Sequence, residues 1–591
     1  MKFYKILAAA AVFWMASTVQ PFWAEVLDED EAVISVRAKK DTSFVEFSAK
    51  EIEECAPVNL ADFLSRNGIL VMNTGGTGAM ANVSISGYAG ACLKVFVDGV
   101  YANSPATGEF DWNQISIDDI ETISIDFAPK EGQIEFAGAS VSIVTKKSGG
   151  RHGEIHFESL SYENSANDTK FSGMNYSDSI SNLFYRVTFS MVHAENRYEL
   201  RSLKTNEGNE NRALKGGLSL NYGTDDFSVM TDFKLASNEY AADAVSIDED
   251  FGVEKDKSSN ALIKVKFSGS EITANHQFFK TEYDGDSTKI HTVSASYKFC
   301  FYGENFLKAG IKAEDSSSFE ARRFQESFTA GFCLTPFDFL AIKPELTFLV
   351  WRGNNGLSGQ HFIPSVKFIF DGGFTWSFYH SFVLPTFNQL YWNDAWAHGN
   401  TSLKNESGWG HCLSFRKDDF PFYASLQNSW YTDKIRWVGF DSDGMFCKNE
   451  GTGVYLTVIL GSAYRWKALF YDVSGTYTHA TLDNWGGSQI MWVPRWQANV
   501  NAGANFGKVA FSTSLNFMGK RYTTNENLSY YSPYFLLDAK VEWNMNECLT
   551  FFLKGGNLLD ERYIYHDNFS APSRSLSAGG KIRGFSKKMK F

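Results

Sequence analysis

From residue 150 to residue 591, short runs recur in which every second residue is apolar; residues 185–191, 263–267 and 535–543 are examples. Side chains of a β-strand point alternately to the two faces of a sheet, so this period predicts strands with one apolar and one polar face. A soluble β-sandwich has the same local pattern, and the period alone therefore leaves a sandwich and a barrel open.

The connections between these runs alternate in length. Short turns at residues 223–226 and 371–373 contrast with long polar loops at residues 194–212 and 237–259. Outer-membrane barrels have this asymmetry, with short periplasmic turns and longer extracellular loops. At about 20 residues per strand and connection, the roughly 440 residues after residue 150 would form about 22 strands, which enclose a lumen wide enough to need a plug.

The composition agrees with long strands. The 591 residues include 52 Phe, 26 Tyr and 15 Trp but 12 Pro, and proline cannot donate to a sheet ladder. The net charge of −13 argues against a nucleic-acid surface. After the N-terminal region no apolar run approaches the length of a transmembrane helix, so a membrane location requires a closed barrel.

The chain divides into four predicted segments. Residues 1–24 resemble a secretory signal peptide, because Lys2 and Lys5 precede an apolar run at residues 6–15. Residues 25–40 form an acidic, extended leader, residues 41–149 a compact α/β domain, and residues 150–591 the strand-rich domain. The seven cysteines are scattered without a Cys-x-x-Cys pair, which excludes a zinc ribbon and a dense disulfide framework.

The α/β domain has two helix starts. Ser48 and Glu51 fit a capping box, and Asn59 can cap a second helix that ends at Gly68. Short strands are predicted at residues 82–86, 93–97, 122–125 and 141–144. A turn is predicted at residues 98–99.

Two segments near the middle of the barrel region carry a family resemblance. Residues 382–391 and 399–407 resemble the paired motifs F-x-x-P-T-x-x-x-L-Y and G-N-P-x-L-x-P-E-x-S of TonB-dependent outer-membrane receptors. Thr401 and Asn405 replace two of the family's prolines. Further similarity covers nearly the whole chain, at residues 60–69, 83–87, 97–100, 138–145, 493–496, 557–563 and 573–576.

The resemblance implies an all-β transmembrane barrel in the outer membrane, with the α/β domain as a plug inside its lumen. The plug departs from the family pattern at Ser86, where arginine is usual, and at residues 124–129. Charged groups that normally tie the family's plug into the barrel wall are absent at these positions.

The resemblance also implies an energy-coupling segment in the leader, formed by Val33, Ile34, Ser35, Val36, Arg37 and Ala38. Family members carry here the extended box that recruits a TonB-like energising protein of the inner membrane. An exposed β-branched segment can add as a strand to the edge of a partner's sheet. The alternative is that residues 33–36 are simply the first strand of the plug.

Ligand contacts are expected from the outer plug loops and from one aromatic barrel loop. The candidates are Gly76, Thr77, Met80, Tyr101, Asn103, Phe110, Trp392, Trp396 and His398. Glycine lets backbone amides approach a ligand, aromatic rings can stack on a flat chelate, and histidine can bind a metal or haem iron. Aromatic residues also girdle membrane interfaces, and a lone histidine is commonly structural.

An acidic segment at residues 243–256 lies where cobalamin-transporting relatives bind calcium. Asp243, Asp248 and Asp250 are its candidate ligands, because oxygen ligands in a flexible loop suit calcium. A solvated extracellular charge run is the plainer interpretation, and no other cofactor is required.

The function implied by the resemblance is TonB-dependent import of a scarce metal chelate, which could be a siderophore, haem or cobalamin. The expected partners are the energising protein, the chelate and outer-membrane lipid, without nucleic acid. One alternative keeps the fold as a non-transporting receptor, adhesin or passive pore. A secreted all-β enzyme is the other alternative, but no nucleophile–base pair stands out, so the chain is expected not to be an enzyme.

Overall fold

The computed structural model describes residues 45–584 with several internal gaps. The gaps are residues 56, 74–75, 148–150, 164, 199–209, 225, 242–252, 284, 302, 355–356, 395–396, 418–419, 442–443, 483–486, 525 and 566–569. Residues 1–44 and 585–591 also lie outside the described part.

The first described segment is a small α/β domain. Its strands are β1 Val45–Ser48, β2 Leu70–Asn73, β3 Ala81–Ser84, β4 Leu93–Val97, β5 Val100–Tyr101, β6 Ile120–Asp126 and β7 Ala139–Thr145. Its helices are α1 Ala49–Cys55 and α2 Leu60–Arg66, with 3₁₀ turns at Gly90–Cys92 and Ile117–Asp119. The main sheet has the order β1-β6-β7-β4-β5, and β2 pairs separately with β3.

The helix ends follow the predicted caps. The backbone N–H of Ser48 donates to the Glu51 carboxylate at 2.7 Å, and the Asn59 side chain accepts from the N–H of Asp62 at 2.8 Å. Gly68 follows α2 with a φ of 77°, which suits the glycine expected there. Within the described part of the chain, no helix is both long and apolar enough to span a membrane.

The remaining elements follow in chain order. They are β8 His152–Tyr162, β9 Ser165–Ile180, β10 Leu183–Ala194, β11 Asn211–Gly223, β12 Phe227–Ala241, β13 Val253–Phe267, β14 Ser270–Tyr283, β15 Asp286–Phe301, β16 Asn305–Ser316, β17 Ala321–Gly331, β18 Leu334–Phe337, β19 Leu340–Gly353, β20 Ser358–Phe370, β21 Phe374–Val383, α3 Phe387–Tyr391, β22 Ala397–His398, β23 Glu406–Arg416, β24 Phe422–Thr432, β25 Lys434–Asp441, β26 Gly444–Glu450, β27 Gly453–Trp466, β28 Leu469–Leu482, β29 Trp496–Asn505, β30 Val509–Met518, β31 Arg521–Tyr522, β32 Tyr530–Tyr531, β33 Tyr534–Asn544, β34 Leu549–Gly556 and β35 Ser575–Gly584.

These strands close into an antiparallel barrel, since the last strand, β35, pairs with the first, β8. Both β17 and β18 pair with β19, so they form one interrupted barrel strand. The described residues therefore form a closed barrel of 22 strands, which confirms the predicted number. β22, β25 and β26 form a separate sheet, and β31 pairs with β32.

The outward-facing side chains of the barrel are apolar, and the inward-facing ones are polar. On β10, Val187, Phe189 and Met191 face outward and are 43–48% exposed, whereas Arg186 and Thr188 face inward and are buried. An apolar outer face and a polar inner face are what a lipid-embedded barrel requires. This arrangement decides between the barrel and the soluble sandwich that the period-two pattern left open.

The connections also follow the expected asymmetry. The turns after β11 and β20 are short, while residues 195–210 and 384–405 form long connections at the opposite end. Both boundaries of the loop predicted at residues 237–259 were wrong, because β12 extends to Ala241 and β13 begins at Val253. Glu254 and Asp256 therefore belong to a strand rather than to the acidic loop.

Candidate ligand site and plug interface

The motif at residues 382–391 forms a corner that joins the barrel to the plug. β21 ends at Val383, and α3 begins with a capping box between Thr386 and Gln389. Two backbone N–H groups from the first turn of α3 donate to the carbonyls of Pro105 and Ala106, at 3.0 and 2.9 Å. The motif therefore holds an outer plug loop as well as starting an extracellular connection.

A buried cluster of charges lies under this corner. Lys94 of the plug contacts Glu135 at 2.9 Å, and Lys312 of β16 lies 4.0 Å from the same carboxylate. Glu314 accepts from Lys312 at 2.9 Å and from Arg323 at 2.5 Å. The guanidinium of Arg323 also donates to the carbonyl of Pro385 at 2.6 Å, so the cluster links plug, wall and corner.

The ionisation of the plug members follows from this pairing. Burial would lower the pKa of Lys94, but the Glu135 carboxylate outweighs it and raises that pKa. Burial would likewise raise the pKa of Glu135, but Lys94 and Lys312 lower it. Both groups therefore stay charged at neutral pH, and each needs the other to remain buried.

The inner face of β10–β16 presents basic side chains to the plug, and we call this surface the cationic wall. Its contacts are Arg186 with Asp119 (2.8 Å), Lys215 with the carbonyl of Ile115 (3.5 Å), Lys234 with the Asp98 carboxylate (3.4 Å), Lys264 with the Asp98 carbonyl (3.2 Å), Lys298 with Glu131, Lys308 with the carbonyl of Gly132 (3.2 Å) and Lys312 with Glu135 (4.0 Å). Although Ser86 and residues 124–129 lack the family's usual charges, other charged residues tie this plug to the barrel.

Asp98 is the most heavily paired plug acid on that wall. Its carboxylate accepts from the backbone N–H and the hydroxyl of Thr145, both at 2.9 Å, and lies 3.2 Å from Lys147. Burial opposes the charged form, but Lys234, Lys147 and the Thr145 hydrogen bonds lower the pKa of Asp98. The predicted turn at residues 98–99 therefore also anchors the plug.

The inner face of β24, β29 and β30 meets the plug through uncharged groups, and we call it the neutral wall. Its contacts are Gln427 with the carbonyl of Gly138 (2.5 Å), Ser429 with the hydroxyl of Tyr88 (2.5 Å), Gln497 with the carbonyl of Gly68 (3.0 Å), Asn501 with the side chain of Asn67 (2.9 Å), and Asn499, Ser514 and Asn516 with the carbonyl of Arg66 (3.0, 2.6 and 3.3 Å). Tyr88 also stacks on Tyr455 with ring centroids 4.9 Å apart. Nearby, β27 contributes an ion pair, between Arg465 and Glu54 at 2.7 Å.

The first predicted plug loop, at residues 76–80, lies against the extracellular ends of β10 and β11. The backbone N–H of Thr77 donates to the side chain of Asn196 at 2.9 Å, and its carbonyl accepts from Asn211 at 2.9 Å. Gly76 has a φ of 92°, and a Cβ there would lie 2.6 Å from Asn196. Met80 is half-buried in the same loop. Thr77 therefore contacts the wall, and Gly76 lies too close to Asn196 for a larger side chain, while ligand binding stays a prediction for Gly76, Thr77 and Met80.

The second predicted plug loop contains a partly exposed residue as well as residues that are buried in the plug. Tyr101 is half-buried, with the ammonium groups of Lys94 and Lys312 lying 5.4 and 5.0 Å from its ring centroid. Asn103 is buried, and its side chain bonds the backbone of Leu93, Val95 and Gly108 at 2.8 Å each.

Phe110 is also buried, edge-on to Trp112 with ring centroids 5.1 Å apart. Asn103 and Phe110 therefore serve the plug's own packing, and their place in the candidate ligand site stays a prediction. Tyr101 stays in it.

The aromatic barrel loop stands next to the corner. Trp392 is 36% exposed and donates to Asp394 at 2.9 Å, while His398 stacks on Phe446 with ring centroids 6.1 Å apart. Phe319, in the turn after β16, lies 6.4 Å from Trp392 between ring centroids. The sequence did not predict Phe319 as a site residue, because no local pattern connects the turn after β16 with the aromatic loop.

The structure thus brings Tyr101 and the aromatic loop to the corner side of the barrel, and the loop at residues 76–80 to the β10–β11 side. Trp396, Asp243, Asp248, Asp250 and residues 33–38 lie outside the described residues, so their ligand, calcium and coupling roles stay predictions. Across the residues that the structure does describe, no group of three or more His, Cys, Asp or Glu side chains could hold a metal ion.

Comparison with protein families gives two matches. The TonB-dependent Receptor Plug Domain matches residues 38–132, and the TonB dependent receptor-like β-barrel matches residues 147–558. The second match covers well over half of the chain.

Among curated proteins, the chain is 24% identical to the vitamin B12 transporter BtuB of Vibrio vulnificus (strain YJ016) over 558 residues, which is 87% of each chain. Solved structures share the fold at lower identity. A mutant of the ferric enterobactin receptor PfeA of Pseudomonas aeruginosa, in complex with enterobactin, has a TM-score of 0.74 at 14% identity and covers 92% of this chain and 100% of its own. The copper transporter OprC has a TM-score of 0.73 at 11% identity, over 91% of this chain and 100% of its own.

Proposed function

Because the chain belongs to the TonB-dependent receptor family and is an outer-membrane β-barrel with a plug, we propose that it imports a metal chelate in an energy-dependent way. In this proposal a TonB-like protein of the inner membrane pulls on residues 33–38. The pull displaces part of the plug, and the bound chelate passes into the periplasm.

The observation that carries the proposal is how the plug sits in the lumen. It fills the barrel, yet many of its contacts with the wall are hydrogen bonds and ion pairs to polar side chains. Water can replace such contacts when the plug moves, at a lower cost than exposing a large apolar interface. A closed pore with a displaceable plug suits gated import.

The way the leader enters the plug also supports the proposal. β1 lies at one edge of the main plug sheet and pairs with β6 alone. Residues 33–38 precede Val45 by only a few positions. Force on the leader would therefore act first on an edge strand, which can separate from its sheet more readily than a central one.

For the cargo, we propose a chelate that meets Tyr101 from the plug and Trp392, His398 and Phe319 from the rim. These rings offer flat apolar surfaces beside a charged plug surface, which suits a large metal complex. The similarity to a vitamin B12 transporter makes a corrinoid the first candidate, followed by ferric siderophores and haem. We assign no covalent chemistry to the protein.

The test is uptake in a strain that lacks the native protein. Cells would carry either the wild type or a variant in which residues 33–38 are replaced by a Gly-Ser segment of equal length. Cyanocobalamin, haemin and ferric siderophores would be compared for binding to the cells and for accumulation inside them. Replacement of residues 27–32 provides the control, because it changes the leader equally but spares the coupling segment.

We expect one chelate to bind both variants but to accumulate only with the wild type and the control. Equal accumulation with and without residues 33–38 would contradict energised import. Absence of binding by every chelate would contradict the proposed cargo class.

A further inference from the structure

The ladder between β20 and β21 is incomplete at its extracellular end. It joins residues 365–369 to residues 375–379 and stops there, although both strands continue beyond it. On its other side, β21 pairs with β23 over its whole length and without a register shift. We call the residues beyond the ladder, 358–364 of β20 and 380–383 of β21, the seam.

A short plug segment, residues 134–136, becomes the partner of β21 at the seam. The N–H of Phe136 donates to the carbonyl of Phe382 at 3.2 Å, and the N–H of Phe382 donates to the carbonyl of Phe136 at 3.0 Å. This reciprocal pair is one rung of an antiparallel ladder. The preceding plug residue, Glu135, accepts from the N–H of Leu384 at 3.4 Å. The plug segment thus supplies hydrogen bonds that β20 would otherwise give.

A proline explains why β20 does not give them. Successive residues of an antiparallel strand direct their backbone N–H and C=O groups to alternate neighbours. Those of Phe382 point away from β23, because they bond the plug, and those of His380 therefore point to the same side. In the existing register His380 would be opposite Pro364, which has no N–H to donate. The ladder therefore loses a donor at the first pair of the seam.

Side chains close the seam around the plug segment. Phe382 stacks on His361 with ring centroids 4.5 Å apart, and its ring centroid lies 5.6 Å from that of Trp351. Gly359 makes room for the Trp351 ring, since a Cβ at that position would lie 2.3 Å from it. Ile134 packs against the same buried cluster. The plug segment is therefore part of the barrel wall at the seam.

The corner and the aromatic barrel loop follow the seam directly along the chain. β21 ends at Val383, and the corner then leads to Trp392. Within it, the N–H groups of Leu384, Phe387 and Asn388 all donate to the plug. The plug therefore holds the start of the aromatic barrel loop as well as the end of β21.

We propose that Ile134, Glu135 and Phe136 are positioning residues of the ligand site. They substitute for a barrel strand at the seam, so the aromatic barrel loop keeps its position only while this plug segment is seated. Withdrawal of the segment frees the N–H groups of the corner and lets the aromatic barrel loop move away from Tyr101. Displacement of the plug and loss of the rim half of the site are then one event. Its role in releasing a chelate rests on the proposed function.

The test measures backbone hydrogen exchange by mass spectrometry, on the purified full-length protein in detergent. Phe136→Pro removes the N–H donor at the seam, whereas the control Phe136→Leu keeps the backbone donor and an apolar side chain. Exchange is compared for residues 382–392, for plug strands β4 and β7, and for β23. No cargo or energising protein is added, so a failure here is distinguishable from a failure of the import assay.

We expect residues 382–392 to exchange at least about tenfold faster in Phe136→Pro than in the wild type, and within about threefold of the wild type in Phe136→Leu. β4, β7 and β23 should keep their wild-type exchange, since their ladders do not include Phe136. A role in plug stability alone would instead accelerate β4 and β7 as much as the corner. That outcome, or wild-type exchange of the corner in Phe136→Pro, would overturn the proposal.

The wild type provides a second measurement that does not depend on the folding of a variant. In rising, sub-denaturing urea, residues 382–392 should lose protection together with β4 and β7, because the plug holds them, and before β23 does. Protection of residues 382–392 that persists until β23 also exchanges would overturn the proposal.

Discussion

The cationic wall and the neutral wall hold the same plug by different physical means. On the cationic wall, buried basic groups of the barrel meet acids and carbonyls of the plug. On the neutral wall, amide and hydroxyl groups donate to plug carbonyls, and three of them converge on the carbonyl of Arg66. Removing one partner of a buried ion pair leaves an uncompensated charge and costs about 3–5 kcal/mol, whereas a neutral hydrogen bond contributes about 0.5–1.5 kcal/mol.

The two walls also hold different parts of the plug. Apart from Gly138, the neutral wall contacts residues between Arg66 and Tyr88, which follow the leader sooner along the chain than Asp98 does. The cationic wall contacts residues between Asp98 and Glu135. Force applied through the leader reaches this part of the plug first, where neutral hydrogen bonds stand beside the ion pairs of Glu54 with Arg465 and of Arg66 with Asp538, and we infer that the plug opens from its neutral-wall side.

The largest expected effect comes from the cationic wall. Arg186→Met leaves the buried carboxylate of Asp119 without its guanidinium, and should lower the free energy of unfolding by about 3–5 kcal/mol. Urea unfolding of the barrel in lipid vesicles would measure the loss. The double variant Arg186→Met with Asp119→Asn should recover most of it; a loss that persists would show that the ion pair is not what matters.

A pH dependence should come from the same wall. Burial and the charge of Asp256 raise the pKa of Asp111 to about 6, despite hydrogen bonds from Asn113 and Asn238 and the charge of Lys215. The unfolded pKa is about 3.9, so between pH 4 and 6 the folded protein binds more protons and the free energy of unfolding falls as pH rises.

Asp111 should account for a decrease of about 3 kcal/mol at most in the free energy of unfolding between pH 4 and 6. Asp111→Asn should remove that part of the slope, as unfolding measured at several pH values would show. An unchanged slope in the variant would contradict the assignment.

Packing on the neutral-wall side should give an intermediate effect. Gly138 has a φ of 127°, and a Cβ there would lie 2.3 Å from the ring of Tyr88. Gly138→Ala should therefore displace Tyr88 and cost about 1–3 kcal/mol in the free energy of unfolding. Gly507→Ala is the control, because Gly507 also has a positive φ, of 81°, but a Cβ there meets nothing within 4 Å. Equal stability of the two variants would argue against a tight Tyr88 contact.

The smallest effect should come from a single neutral-wall hydroxyl. Ser514→Ala removes one of three donors to the carbonyl of Arg66, and the two asparagine donors remain. The free energy of unfolding should fall by about 1 kcal/mol or less. A loss as large as that of Arg186→Met, in the same urea assay, would abolish the contrast between the walls.

Much of the architecture could be predicted from local patterns. The period-two runs located barrel strands, and Ser48 and Asn59 located helix starts, because caps and strand periodicity depend on neighbouring residues. Charged inward-facing residues were harder to interpret. Asp256 was assigned to an acidic loop, yet it lies on β13 and accepts from Tyr240 and Thr281 at 3.0 and 2.6 Å.

The contacts between plug and wall could not be predicted, because they join residues far apart in the chain. Asn103 had the polarity of a ligand contact, but its amide is used inside the plug. Nothing in a single sequence indicates that Arg186 faces Asp119, or that three wall residues share the carbonyl of Arg66. Such pairings depend on how the plug is rotated inside the barrel.

The most direct test of opening from the neutral-wall side is single-molecule pulling on a tag fused to the leader, with the barrel held in a lipid bilayer. We expect a first extension of about 170 Å, as residues 45–93 unfold and the segment on the cationic wall stays in place. Release of the whole plug in one step, with an extension of about 350 Å, would contradict it.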